Sequence, residues 1–265
     1  RFEHLTYMNI SCCPMVTEFP DVSGAKNLRR LRLSGCINLV SIHKSVGHLV
    51  NLFLLSISRC IQLQNFVPTI YLPSLERLFF KGCSRLAHFP EVEGTMDKPL
   101  KIEMSKTAIK ELPQSIKKLT GLYYLNMNGC LGLQHLPSSL FLLPNFVTLK
   151  IGECCQVRES FRKLEGSHSM CPKLEKLNYN HADLSDEDLH AIIYNFPNLK
   201  DLEVSGNNFV SLPAQIKEST KLTTLKVSNC AKLREIPELP SSVEKVNATQ
   251  CNSLTAETSS MLWSQ

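Results

Sequence analysis

One phrase, Leu-x-x-Leu-x-Leu-x-x-Cys, returns about every 23 residues along this chain, and its return limits the possible folds more than any other feature. It stands at Leu28, Leu31, Leu33, Cys36 and again at Leu52, Leu55, Ile57, Cys60. It recurs at Leu75, Leu78, Phe80, Cys83, at Leu122, Leu125, Met127, Cys130, at Phe146, Leu149, Ile151, Cys154, and at Leu222, Leu225, Val227, Cys230. Anchoring on the last position gives eleven units, at Cys13, Cys36, Cys60, Cys83, Thr107, Cys130, Cys154, Ala182, Asn207, Cys230 and Cys251, separated by 21 to 28 residues.

Within each unit the Leu-x-Leu pair alternates in and out as a short strand requires. Leu31 and Leu33 point inward, while Arg30, Arg32 and Ser34 point out. A repeat of this period and spacing is a leucine-rich repeat, which grows by stacking, so the 265 residues count repeats and not separate cores. The expected fold is an α/β open leucine-rich-repeat solenoid, a horseshoe with one parallel concave sheet of about 11 short strands. With neighbouring strands about 4.8 Å apart, that face is on the order of 50 Å long. The solenoid is assigned to 1–254, and 255–265 departs from the period as a tail or the lead into a further region. Arg1-Phe2 already lies in the approach to a strand with no polar cap, so more chain is expected upstream. Met261, Leu262 and Trp263 could fold back over the final repeat.

A second apolar pair, often with a proline, follows each rung: Val16, Phe19, Pro20; Leu86, Phe89, Pro90; Leu133, Leu136, Pro137. Proline fixes φ and withholds a donor, which stops the sheet from continuing onto the convex side. That side should be irregular or shortly helical. Ser185 three residues before Asp188 makes a capping-box-like start for a helix over Asp186 to Tyr194. Asp183, Asp186, Glu187 and Asp188 lack the phase of a calcium loop.

Eight of the eleven cysteines occupy the rung position, with Thr107 and Asn207 taking it in two other repeats. A small half-buried side chain with a weak S–H donor suits a structural ladder that satisfies backbone carbonyls. A long column of thiols also fits a reducing compartment better than a disulfide framework. Cys12 beside Cys13 and Cys154 beside Cys155 are adjacent pairs, Cys171 is isolated, and no C-x-x-C occurs, so no metal site is expected. No cofactor is expected either. Histidines such as His43, His135 and His190 do not recur in phase with a nucleophile or carboxylate, so no catalytic residue is assigned. No run of apolar residues reaches the length of a membrane span.

Charge is unevenly placed. Among the outward strand positions Arg30, Arg32, Arg77, Lys81, Lys101, Lys150, Lys176, Lys226 and Lys245 are basic, and only Glu103, Asp201 and Glu203 are acidic. The face thus carries +6 against +5 for the whole chain. Partners with an acidic patch would be steered there, although lysine and arginine are also ordinary solvated residues. Tyr7, Phe79 and Tyr124, with Leu54, are candidate anchors, being large apolar groups where a strand should show polar ones. Packing under a flanking segment is the alternative for these rings. A charge of +5 is modest for a nucleic-acid binder, and no motif of that class breaks the repeat. Two sequons, at Asn9 and Asn247, fall on strand positions and carry little weight.

The run Leu112-Pro-Gln-Ser-Ile-Lys-Lys-Leu119, leading into Leu122, Leu125, Met127, Cys130 and Leu136-Pro137, resembles the repeat domain of plant intracellular nucleotide-binding leucine-rich-repeat immune receptors, most closely the TIR-type branch. The phrases Ala108 to Pro113, Leu184 to Leu189 with Val204 to Phe209, and Leu233 to Pro240 carry the same resemblance. It implies a non-enzymatic sensor domain, cytoplasmic or nuclear, that binds a pathogen effector or a guarded host protein and restrains the nucleotide-binding module. A generic repeat scaffold with another protein partner is the alternative. No G-x-x-x-x-G-K-[ST] phosphate loop lies in this chain, so nucleotide switching would belong elsewhere.

Overall fold

The computed structural model describes residues 2–164 and 173–255. Two compact units divide the chain, Arg1–Phe146 and Val147–Gln265. Cys171, His168 and the tail residues Met261, Leu262 and Trp263 lie outside the described residues.

The parallel sheet of eleven strands that the spacing predicts is present. Six strands belong to the first unit: Tyr7–Asn9, Arg30–Arg32, Leu54–Ser56, Arg77–Phe79, Leu100–Glu103 and Leu122–Asn126. Five belong to the second: Thr148–Lys150, Lys176–Asn178, Asp201–Glu203, Thr224–Lys226 and Lys245–Asn247. Each is short because its leucine pair must return to the core on both sides. Leu28, Leu31, Leu33 and Cys36 are fully buried, and so are their counterparts Leu52, Leu55, Ile57 and Cys60. Burying one such leucine is worth about 1.5–3 kcal/mol, so each added repeat contributes its own share of core.

Register runs straight across the first unit, Tyr7 opposite Arg30, Arg30 opposite Leu54, Leu54 opposite Arg77 and Arg77 opposite Lys101. At the sixth strand the pairing slips, with Leu122 opposite Leu100 but Tyr124 opposite Lys101. Tyr123 is therefore an extra residue, a bulge that turns its ring to solvent.

The return side differs in one respect from the irregular path expected. Two parallel pairs form there, Glu18–Phe19 with Ser41–Ile42 and Thr69–Ile70 with Glu91–Val92. Pro20 ends the first of these segments and Pro90 precedes the last, which keeps the pairing to two residues. Elsewhere the chain returns through short 3-10 turns. Gln114–Lys118, Ser138–Leu140 and Ala214–Glu218 each start after a proline, Pro113, Pro137 and Pro213, whose φ of −69° or −67° suits the entry.

In the second unit the helix expected over Asp186 to Tyr194 runs Asp186–Asn195, with both bonds of the Ser185–Asp188 capping box formed. A shorter helix, Arg158–Arg162, packs beside it. Arg162 Nε donates to Asp188 Oδ1 at 2.7 Å. Burial pushes the Asp188 carboxyl up, but hydrogen bonds from Arg162 and Ser185 outweigh it and hold it below the ordinary carboxylate value. Among the described residues no helix is long and apolar enough to cross a membrane.

Candidate protein-docking face

The rungs fix where the face lies. Cys36 Sγ donates to the carbonyl of Ile10 at 2.9 Å, Cys60 to Leu33 at 3.1 Å and Cys83 to Ile57 at 3.0 Å. Each thiol thus reaches back one repeat, to the carbonyl that follows the preceding strand. Cys130 does the same to Met104, and Thr107 bonds that carbonyl from within its own repeat. In the second unit Cys230 and Cys251 donate to Val204 and Val227. Cys154 also bonds Gly152 of its own repeat, as Cys13 bonds Ser11. Burial pushes the Cys230 thiol up to about 11, and a hydrogen bond with Cys83 together with burial raises Cys60, so these groups stay protonated donors.

Asn207 does more than a thiol can. Its Nδ2 donates to the carbonyls of Tyr179 and Val204, while its Oδ1 accepts from the amides of Ala182 and Leu184. Ala182, which brings no polar group to its own rung, is served by its neighbour.

Between the rungs the outward residues form rows. The first row of the first unit reads Tyr7, Arg30, Leu54, Arg77, Lys101, Tyr124 across six strands. Arg30, Arg32, Arg77 and Lys81 are exposed and Lys101 is half-buried. Lys101 Nζ sits 4.4 Å from the centre of the Tyr124 ring, and the Arg77 guanidinium 5.6 Å from that of Phe53. Such cation–π contacts hold long side chains in place without neutralising them.

Four apolar anchors are expected from parity, and they do not behave alike. Tyr7 is 49% exposed. Phe79 and Tyr124 are half-buried. Leu54 is a correction: at 5% exposure it is buried, although it lies in register between the exposed Arg30 and Arg77. Leu54 belongs to the floor of the face.

The two units differ in how their charges are met. In the second, Lys226 pairs with Glu203 at 3.5 Å, Lys200 with Glu175 at 2.8 Å and Arg158 with Asp183 at 3.4 Å. Lys176 and Lys245 are exposed there and Lys150 is half-buried. In the first unit no described lysine or arginine pairs with a carboxylate, and Glu103 is taken up by Ser105 and Asn126.

Residues outside the expected phase matter too. One position upstream of the strands, Arg29, Phe53 and Glu76 form a column in which Phe53 N donates to Arg29 O and Glu76 N to Phe53 O. With Arg30, Asn51, Ser74 and Lys98 they line a cleft of about 370 Å³. The signal was a phenylalanine where Thr6, Arg29 and Glu76 stand in the equivalent place.

Parallel strands, inward leucines and a hydrogen-bonded rung at every turn define a leucine-rich-repeat protein. Residues 71–238 match the family model of leucine-rich repeats in RPS4B-like disease resistance proteins, and the chain belongs to that family. TMV resistance protein N of Nicotiana glutinosa is 28% identical over 92% of this chain, and disease resistance protein RPS4B of Arabidopsis thaliana is 24% identical over 94%. The chain spans 25% of the first protein's length and 18% of the second's. Among solved structures, a leucine-rich-repeat protein of Leptospira interrogans superimposes with a TM-score of 0.57 at 19% identity, covering 94% of this chain and 73% of that one. The leucine-rich-repeat domain of the type III effector XopL gives 0.55 at 18%, covering 92% and 76%. Those two likenesses concern the fold.

Proposed function

We propose that this chain is the recognition segment of an intracellular plant immune receptor. Its strand face binds a protein partner, a pathogen effector or a guarded host protein, and in the resting state restrains the receptor's nucleotide-binding module. The observation that carries this reading is the first unit's strand face, where Arg30, Arg32, Arg77 and Lys81 stand exposed with no carboxylate partner among the described residues. Unneutralised charge on a rigid sheet steers an acidic surface into register and raises the rate of encounter. Family membership supplies the setting.

Charge reversal at Arg77, Lys81 and Lys101 in the intact receptor tests it. Cell death without a ligand marks the face as a contact for the receptor's own switch, and loss of response with normal protein level marks it as the partner site. A receptor that stays quiet at rest and responds normally refutes both roles.

A further inference from the structure

The cleft upstream of the first unit's strands combines three features. Its lining includes an aromatic ring, Phe53, half-buried and with the Arg77 guanidinium 5.6 Å from its centre. Its rim carries Arg29, Arg30 and Lys98, none of them ion-paired among the described residues, against the single carboxylate of Glu76. Its volume of about 370 Å³ lies in the range that takes one large side chain and its neighbours.

We infer that this cleft docks an acidic polypeptide segment bearing an aromatic or large aliphatic anchor residue. The inference rests on the strand face being a recognition surface, and it gives that surface a place and a chemistry. An anchor side chain stacks on Phe53 while carboxylates on either side of it reach Arg30 and Arg77 along the row and Arg29 and Lys98 at the rim. Binding energy at such surfaces is held by a few aromatic and arginine positions, which is the composition found here. Glu76 decides the class of ligand. A carboxylate set among the cations repels a continuous polyphosphate, whereas a peptide spaces its charges and can turn a backbone N–H toward Glu76.

The test is fluorescence anisotropy at low salt with the 265-residue chain and the labelled peptide Gly-Asp-Glu-Trp-Glu-Asp-Gly, alongside the same peptide with alanine for tryptophan. The tryptophan peptide is expected to bind more tightly. Phe53→Ala should weaken it about tenfold and the alanine peptide by less than about twofold. Arg30→Glu with Arg77→Glu should weaken both peptides by about tenfold or more. Lys176→Glu with Lys245→Glu, in the second unit, should change neither by more than about twofold. Phe53→Leu, checked by its thermal melt, replaces Phe53→Ala if the latter fails to fold, and should still remove most of the preference for tryptophan.

Equal loss from the second-unit pair, no preference for the tryptophan peptide, or displacement of the peptide by short duplex DNA at lower concentrations than the unlabelled peptide requires would each overturn the assignment. Peptide binding does not depend on the immune role. A charge-reversed receptor that still signals normally while the cleft binds its peptide sinks the receptor reading alone, and a cleft that binds nothing while charge reversal changes signalling sinks the cleft alone.

Discussion

Replacing Asn207 with alanine separates hydrogen bonding from packing as the reason for the rung. Asn207 is 1% exposed, and its side chain donates at 2.9 Å to Tyr179 O and 2.8 Å to Val204 O. It accepts at 2.9 Å from Ala182 N and 3.1 Å from Leu184 N. Alanine leaves those two buried amides facing a methyl group. At about 1–3 kcal/mol for each stranded donor the pair costs about 2–6 kcal/mol, and allowing for local relaxation the expected loss is about 3–5 kcal/mol. Cys230→Ala makes a calibrated contrast. Its thiol meets Val204 O at a long 3.5 Å, and Asn207 still serves that carbonyl, so about 1–2 kcal/mol is expected. Asn207→Cys returns a donor but only a weak acceptor and should recover no more than about half of the loss. Urea denaturation followed by circular dichroism gives the totals. Because a repeat array can open segment by segment, amide exchange at Ala182 and Leu184 gives the local cost directly. An alanine variant that loses no more than Cys230→Ala, or a cysteine variant as stable as the parent, would show that shape and not hydrogen bonding holds the rung.

Three further outcomes follow from the same geometry. Leu54→Ala should cost about 2–3 kcal/mol in denaturation, as a buried leucine does, whereas an exposed anchor would cost almost nothing. For Asp188 the folded carboxyl lies below its unfolded value of 3.8, so its contribution is complete above that pH and is lost as pH falls through the lower folded value. Asp188→Asn should therefore lower stability by about 2 kcal/mol at neutral pH and flatten its acid limb, checked by melts across pH. Gly206→Ala should destabilise more than Gly82→Ala: both have positive φ, worth about 1 kcal/mol, but a Cβ at Gly206 also strikes the His181 ring, while at Gly82 the nearest atom, Arg59 Cγ, is 3.7 Å away.

Features that repeat with the period could be read along the sequence. The rungs, the inward leucines and the start of the helix at Ser185 are each decided by residues within a few positions, so spacing alone places them. What escaped is decided between repeats. Leu54 has outward parity, yet it is buried between strands whose register partners, Arg30 and Arg77, lie 24 residues before and 23 after. Phe53 stands outside the Leu-x-Leu phase and becomes a site residue only because Arg77 and the loops of Asn51, Ser74 and Lys98 gather round it. The paired segments on the return side depend likewise on a neighbour lying alongside.

One pattern between repeats is visible in the sequence once the neighbour is known. The residue just before the rung has positive φ throughout, and in the first unit side chains and glycines alternate there: Cys12, Gly35, Arg59, Gly82, Lys106, Gly129. Left-handed backbone explains why glycine is favoured but not why it comes at every second repeat. The preceding side chains account for two of the three glycines. Cys12 lies over Gly35, Arg59 over Gly82 and Lys106 over Gly129, with a Cβ on these glycines 3.0, 3.7 and 3.2 Å from Sγ, Cγ and Cγ respectively. A Cβ at Gly35 or Gly129 would sit tighter than ordinary contact against the preceding side chain, whereas at Gly82 the 3.7 Å to Arg59 Cγ leaves room for one. Arg59 and Lys106 stand about 9.6 Å apart, twice the strand spacing, with Lys81 exposed on the repeat between them. Arg59, Lys81 and Lys106 are all exposed, so the edge that borders the first unit's strand face is basic over three successive repeats.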